Sequence, residues 1–424
     1  MANNFASNVE KRIATSFGKA FQSQRVLTKT INSTIAEGKF SPFTGSTIYV
    51  RKPYESKITR TSGGNITGLT DDIKTGQVPV TVMDMFTTFA EWDIIDEALK
   101  MDSMDEIMKP LATRIITELE LDIANRMLLG GGLLVGTPGT AVTKWSDVAA
   151  ANTLLTDIGA PATECYYVMT PGTQQALADA QKGLSNGDDS LVNDAWRNSL
   201  VSKNFGGLTA LSSNCLKSFQ SGAATDRAGT ITGTVTQTWD GNKDATTQTI
   251  SVTAFSASLT AAFRVGDVVQ ITGRNRVNPH TGQLIVDASG NSVKFTGVVQ
   301  ATTDTAGSGV ATITISGNAI YEASYNKYNN IDSSITAGDV ITLLGAADTV
   351  YKPNLFFHKD AFTMATIPLP RLHSTDAYIT TKDGFSIRVS KYANGDANTN
   401  KVRFDLLAAF GVVNPHMAGR GHGV

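Results

Sequence analysis

The sequence predicts an α+β protein carrying an inserted all-β barrel, and three observations predict it. From Ser103 to Leu129 apolar residues recur every three or four positions, short strands and helices then alternate to about residue 222, and from about Ala223 to Thr349 helical periodicity gives way to short alternating runs rich in Thr, Ser, Gly and Val. With 424 residues, 41% hydrophobic and 17% charged, the chain can build two or three cores and is too apolar to be disordered. A formal net charge of −2 excludes a strongly basic surface overall, and with it tight, sequence-independent DNA binding as the main task. The two cysteines, Cys165 and Cys215, are too sparse for a secreted disulfide scaffold and read as reduced, structural thiols. No early basic-then-apolar segment resembles a signal peptide and no run of about 18 apolar residues could span a bilayer, so a cytosol-like compartment is expected.

Six segments are expected. In residues 1–45, Phe5, Val9, Ile13, Phe17 and Phe21 fall at intervals of four, an amphipathic helix that either lies on its own domain or serves as an arm docking on a neighbour. In residues 46–92, alternating stretches at Thr47–Arg51 and Val78–Trp92 flank a polar, Gly- and Thr-rich loop, read as a strand-flanked, projecting contact surface. Its charged residues include Lys57, Arg60, Asp71, Asp72 and Lys74. Residues 93–144 hold the long helix, where Met104, Met108, Leu111, Ile115, Leu119, Ile123 and Met127 form one face. Ser103 and Glu106 have capping-box spacing, Gly130–Gly132 stop the helix, and Pro110 separates or bends its first turn.

Residues 145–222 predict an α/β domain, with helices over Ser146–Ile158, Pro171–Lys182 and Ser190–Leu200 and a strand at Tyr166–Met169. Residues 223–349 contain six short alternating runs, two of which, VGDVVQI at Val265–Ile271 and AGDVITL at Ala337–Leu343, echo each other through a Gly-Asp turn. In residues 350–424, YANGDANTN predicts the turn of a hairpin between Phe385–Lys391 and Lys401–Val412, and the tail PHMAGRGHGV has nothing to bury.

No motif reads as an active site. Gly183-Leu184-Ser185-Asn186-Gly187 matches a nucleophile-elbow pattern, but a helix precedes it and polar residues follow. The glycines of Gly130–Gly139 follow a helix and lack the lysine of a P-loop. The histidines His280, His358, His373, His416 and His422 have no zinc-site spacing, and Asp71-Asp72 and Asp188-Asp189 read as solvated turns. No catalytic, cofactor-binding or metal-binding residue is therefore assigned.

A helical arm, a strand-flanked loop, one long helix with TELELDIANRM at Thr117–Met127, an α/β domain and a returning hairpin, in this order, resemble the major capsid proteins of tailed bacteriophages, the HK97-like fold. The inserted barrel, with WDGNKD at Trp239–Asp244 and RVGDVVQITG at Arg264–Gly273, narrows the resemblance to the coat proteins of short-tailed Salmonella phages. The resemblance implies hexamers and pentamers closing into an icosahedral shell around double-stranded DNA, through a procapsid that expands on packaging. It implies a separate scaffolding protein, a portal protein and a possible decoration protein as partners, and assembly in the host bacterial cytoplasm. It places intersubunit contacts on the extended loop (Lys57, Arg60, Asp71, Asp72, Lys74), intercapsomer contacts on a protruding loop of the insertion (Asp240, Lys243, Asp244), and a neighbour-binding arm at Phe5, Val9, Ile13, Phe17 and Phe21. Other readings are an encapsulin-like shell protein, a hydrolase using Ser185, and a carbohydrate-binding or adhesive protein working through the insertion.

Overall fold

The computed structural model describes residues 25–33, 40, 45–52, 60–70, 73–93, 104–181, 203–323, 328–372, 377–380 and 385–423. The expected arm with Phe5, Val9, Ile13, Phe17 and Phe21 lies outside the described residues, as do Lys57, Asp71, Asp72, Ser103, Ser185 with its flanking glycines, Asp188, Asp189, Ser190–Leu200 and His373. In chain order the elements are β1 (Thr47–Arg51), β2 (Gln77–Val82), β3 (Phe86–Asp93), α1 (Met104–Gly130), β4 (Leu133–Val135), α2 (Trp145–Ile158), β5 (Cys165–Met169), α3 (Pro171–Gln181), β6 (Asn204–Phe205), β7 (Leu208–Ser212) and β8 (Phe219–Gln220). The insertion follows with β9 (Ala228–Thr232), α4 (Trp239–Asn242), β10 (Thr247–Thr253), β11 (Val268–Asn275), β12 (Lys294–Val298), β13 (Ala311–Ser316) and β14 (Val340–Leu343). The return comprises β15 (Val350–Tyr351), β16 (Asn354–His358), β17 (Phe362–Ile367), β18 (Ala377–Thr380), β19 (Ser386–Asn394), β20 (Thr399–Val412) and β21 (Ala418–Gly421). These elements form two compact units, one from Met1–Val50, Pro79–Ala124 and Phe362–Gly411, the other from Arg51–Val78, Asn125–Ala361 and Val412–Val424.

In the first unit, β20 is the common partner of β2, β3, β17 and β19. The predicted hairpin forms between β19 and β20, with Asn394 opposite Thr399 and Asn398 in the left-handed region at the turn. The stretch read as one strand over Val78–Trp92 is two, β2 and β3, with Met83 N–H donating to Ala408 O across the break so that both stay on β20. Ile48, Val50, Val80, Ala365 and Ala409 pack together, because the alternation of β1 and β2 puts their apolar residues on one face. Inside the unit, Asp405 is fully buried and bonded by Arg388 at 2.6 and 3.2 Å, Arg403 at 2.7 Å and Thr87 at 2.8 Å, so this carboxylate is paired with two guanidiniums.

Helix α1 is a single element of 27 residues that runs through Pro110, about 40 Å at 1.5 Å per residue. Its buried face is broader than the expected stripe: Ala112, Ile116, Ala124 and Leu128 join Ile115, Leu119, Ile123 and Met127. Glu120 lies among them and accepts from Val26 N–H at 2.6 Å and Thr28 N–H at 3.3 Å, which tethers the start of the described chain to the helix. Burial pushes this carboxyl above its usual range, against the pull of those donors.

The second unit holds a sheet in the order β4-β21-β16-β5-β7-β6, with α2 contributing Val148, Ala151, Leu155 and Ile158 to its core. Strand β21 corrects the reading of the tail. Ala418–Gly421 pairs in parallel with β4 and antiparallel with β16. Its glycines permit this, since a Cβ on Gly419 would strike Leu133 and Phe356, and one on Gly421 would strike the Tyr167 hydroxyl. A count of apolar side chains misses a segment whose backbone is what packs.

All six alternating runs of residues 223–349 become strands, ordered β12-β11-β14-β9-β10-β13. Val299 bridges to Ile315 and Gln300 N–H donates to Thr314 O, bringing the two ends of the sheet together as a barrel around Ile250, Phe263, Ile271, Phe295 and Ile313. The two echoing runs are neighbours, with Val269 opposite Leu343 and Ile271 opposite Ile341. Their turns are built alike: Gly266 and Gly338 have φ of 96° and 95°, and Asp267 and Asp339 each accept from the N–H three residues before, Arg264 and Thr336, at 2.8 Å.

Candidate functional site

The barrel holds two other parts of its own unit. The first is the end of α1, whose last carbonyls have no partner within the helix. Arg420 Nε donates to Leu128 O at 2.9 Å, Gln300 Nε2 to Leu129 O at 2.7 Å, Ser316 Oγ to Gly131 O at 3.0 Å, and Thr296 Oγ1 and Arg276 Nη2 to Gly132 O at 2.9 and 2.8 Å. The guanidiniums of Arg276 and Arg420 also complement the negative end of the helix dipole. Burial lowers both to about 9, and Arg276 lies over the Phe295 ring at 4.8 Å. The glycines here serve close approach: a Cβ on Gly131 would meet the Ala418–Gly419 backbone at 3.0 Å. His416 completes the cluster, 3.4 Å from Arg276 Nη1 and 3.1 Å from Asn330 Nδ2, and burial with the Arg276 charge lowers it to about 3.

The second is the base of the extended loop. Lys52 N–H donates to Gly76 O at 2.8 Å, closing the loop's two ends on each other. Trp239 of α4 stacks on Tyr328 with centroids 3.8 Å apart and planes 3° apart, and the Trp239 indole N–H and the Tyr328 hydroxyl both donate to Lys74 O at 3.3 Å. Asp244 Oδ1 accepts from Gln77 N–H at 2.9 Å, and Lys52 Nζ donates to Ala245 O at 2.9 Å while lying 5.7 Å from the Trp239 ring. Burial pulls the Lys52 ammonium down to about 8, with the Asp244 carboxylate opposing. Gly76 is needed because a Cβ would strike the Lys243 carbonyl.

The structure therefore brings part of the two expected charge sets together within one chain. Asp240 pairs with Lys243 at 3.1 Å and with Lys74 of the loop at 3.8 Å; the Lys243 ammonium, with Lys74 behind it, holds its carboxyl below the usual range. Segment Trp239–Thr247 begins as the short helix α4, with Trp239 and Asn242 buried, and Asn242 Nδ2 donates to Thr236 O and Thr238 O at 2.8 and 3.0 Å. Beyond this base the loop offers Arg60 and the exposed side chains of Ile66, Leu69 and Ile73. The sequence reading missed Arg276, Gln300, Tyr328, His416 and Arg420. Their contacts at these two junctions span long sequence separations, and no local pattern marks them.

Among the described residues no cluster of three or more His, Cys, Asp or Glu side chains is placed to hold a metal, and no helix is long and apolar enough to cross a membrane. Cys165 and Cys215 are both buried, and neither forms a disulfide.

The family profile of the P22 coat protein, gene protein 5, matches residues 1–422. This chain belongs to the P22 coat protein family. A major capsid protein of Acyrthosiphon pisum secondary endosymbiont phage 1 is 38% identical to it over 426 residues, covering the whole of both chains. Two similar solved structures are those of Mycobacterium phage Che8, at 12% identity and TM-score 0.48 over 94% of this chain and 90% of the other, and the mature capsid of bacteriophage PhiM1, at 10% and 0.43 over 92% and 84%. As a member of the coat protein family the chain is a shell-forming major capsid protein of a phage and a component of the virion. Both the encapsulin and the hydrolase readings give way to this membership.

Proposed function

We propose that the chain assembles as hexamers and pentamers into an HK97-like procapsid around a separate scaffolding protein. The shell then joins a portal protein and expands as double-stranded DNA is packaged, with a decoration protein as a further possible partner. The observation that carries this reading is the family match over essentially the full length. The role is structural and not enzymatic, and assembly takes place in the host bacterial cytoplasm. A net charge of −2 suits a container that must release its DNA, since each Lys or Arg on a phosphate would add a salt-dependent grip.

Within the shell, Lys57, Arg60, Asp71, Asp72 and Lys74 of the loop contact a neighbouring subunit, together with Ile66, Leu69 and Ile73, whose exposure in a single chain supports this role. Phe5, Val9, Ile13, Phe17 and Phe21 form the arm. Asp240 and Lys243 meet the next capsomer. Asp244 shares that segment but is engaged with Gln77 of its own chain. The division of residues 1–45, 46–92, 93–144, 145–222, 223–349 and 350–424 into arm, extended loop, spine with peripheral domain, axial domain, insertion and return is part of the same reading.

The test is electron microscopy of the protein expressed alone and with its candidate scaffolding protein. Closed, uniform particles in either sample are expected. Monomers and irregular aggregates in both would overturn the assembly reading.

A further inference from the structure

At the neck of the insertion, where the chain enters the barrel after β8 and leaves it before β15, lies a small cavity with about 10 Å³ of room for a water-sized sphere. Phe219, Ser221, Asp267, Tyr351, Arg420 and His422 are among the residues lining it. Arg420 and His422 are 1% and 3% exposed, yet Arg420 Nη2 and both ring nitrogens of His422 have no hydrogen-bond partner. Arg420 Nε on Leu128 O and Nη1 on Gly266 O at 2.6 Å hold the guanidinium in place beside the cavity, and Nη2 is the nitrogen left over. Buried polar nitrogens left this way are costly, and native proteins satisfy nearly all of them.

Asp267 brings the opposite charge to the same space. Its carboxylate is 4% exposed and accepts from Gly222 N–H at 3.1 Å and Arg264 N–H at 2.8 Å, but makes no direct ion pair with Arg420. An anion in the cavity would face this carboxylate, and a cation would face the guanidinium. A neutral molecule that both donates and accepts fits both walls, and the volume admits about one water. His422 is neutral near pH 7, since burial and the Arg420 charge lower it to about 3, so its ring offers one donor and one acceptor.

We propose that this cavity is a built site for one ordered water, which accepts from Arg420 Nη2, bonds a ring nitrogen of His422 and bridges to the Asp267 carboxylate. The water joins two segments that are far apart in sequence, the Gly-Asp turn before β11 and the C-terminal segment of β21 and His422, beside the strand pair β8 and β15 of the neck. It completes the Arg420 contacts that begin on the end of α1.

The site is tested on the assembled, full-length protein by a cryo-electron microscopy map at about 2.2 Å. One peak within roughly 2.6–3.2 Å of both Arg420 Nη2 and a His422 nitrogen is expected. An empty cavity, or Arg420 Nη2 turned onto a protein oxygen, overturns the proposal. Crystals of the same chain soaked in bromide give the second arm: no anomalous peak in the cavity is expected, and a bromide there would make the site an anion site. A His422→Phe variant that folds should lose the peak while keeping the Arg420 bond to Leu128, and an unchanged peak would remove His422 from the site. The native map decides the matter whether or not that variant folds.

Discussion

The barrel grips the end of α1 and the base of the extended loop with different chemistry. At the helix end the contacts are buried guanidiniums and hydroxyls, with one part-buried amide, on backbone carbonyls, so loosening most of them strands a polar group away from water. At the loop base an aromatic pair, a half-buried lysine and exposed carboxylates do the holding, and water can replace most of what is lost. One junction is suited to staying fixed and the other to being rearranged. The difference lies in burial, since both have about the same number of bonds.

The sharpest way to break this comparison is at Arg276. Arg276→Met should destabilise the chain by about 3 kcal/mol or more, because Gly132 O and Thr296 O lose charged donors in a dry site. Urea unfolding followed by circular dichroism measures it, and a loss under about 1 kcal/mol would place both junctions in one class. Gly76→Ala should cost less, about 1–2 kcal/mol, since the loop base can retreat into solvent once its Cβ meets the Lys243 carbonyl. The expected signature is a red-shifted Trp239 emission with a smaller drop in the urea midpoint than Arg276→Met produces.

Acid should act on the buried junction first. His416 takes up its proton near 6.5 when unfolded but only near 3 when folded, so between these values the unfolded chain binds more protons and stability falls as pH drops. The slope is up to about 1.4 kcal/mol per pH unit for this histidine, and His416→Asn should flatten the pH dependence of unfolding by up to that amount. The smallest effect belongs to Lys52. Its folded value of about 8 lies below the unfolded 10.5, so stability rises gently with pH between the two, and Lys52→Met should remove that rise from melting curves taken across this window.

Periodicity is a local property, and what it can predict is local. It was sufficient for α1, for each barrel strand and for the β19–β20 hairpin, whose signals lie within about a dozen residues. The Gly-Asp echo was legible for the same reason, although that the two runs are neighbouring strands needed the structure. Strand β21 was invisible because AGRG carries no alternation and packs through backbone. Of the expected contact residues, Lys74, Asp240, Lys243 and Asp244 stood out as charges in polar segments. Their meeting within one chain depends on Trp239 stacking on Tyr328, a pairing across some ninety positions that no spacing rule addresses.

The position of β20 has a consequence for synthesis on the ribosome. Strands β2 and β3 emerge early, but the partner both require spans Thr399–Val412, close to the end of the chain. Throughout most of translation their edges stay unpaired, which is the state most open to wrong association. The barrel strands need only one another and can close while the ribosome is still at work. A nascent chain of this protein therefore carries a finished barrel alongside an unfinished sheet, and the exposed strands stay open to misassembly until β20 is made.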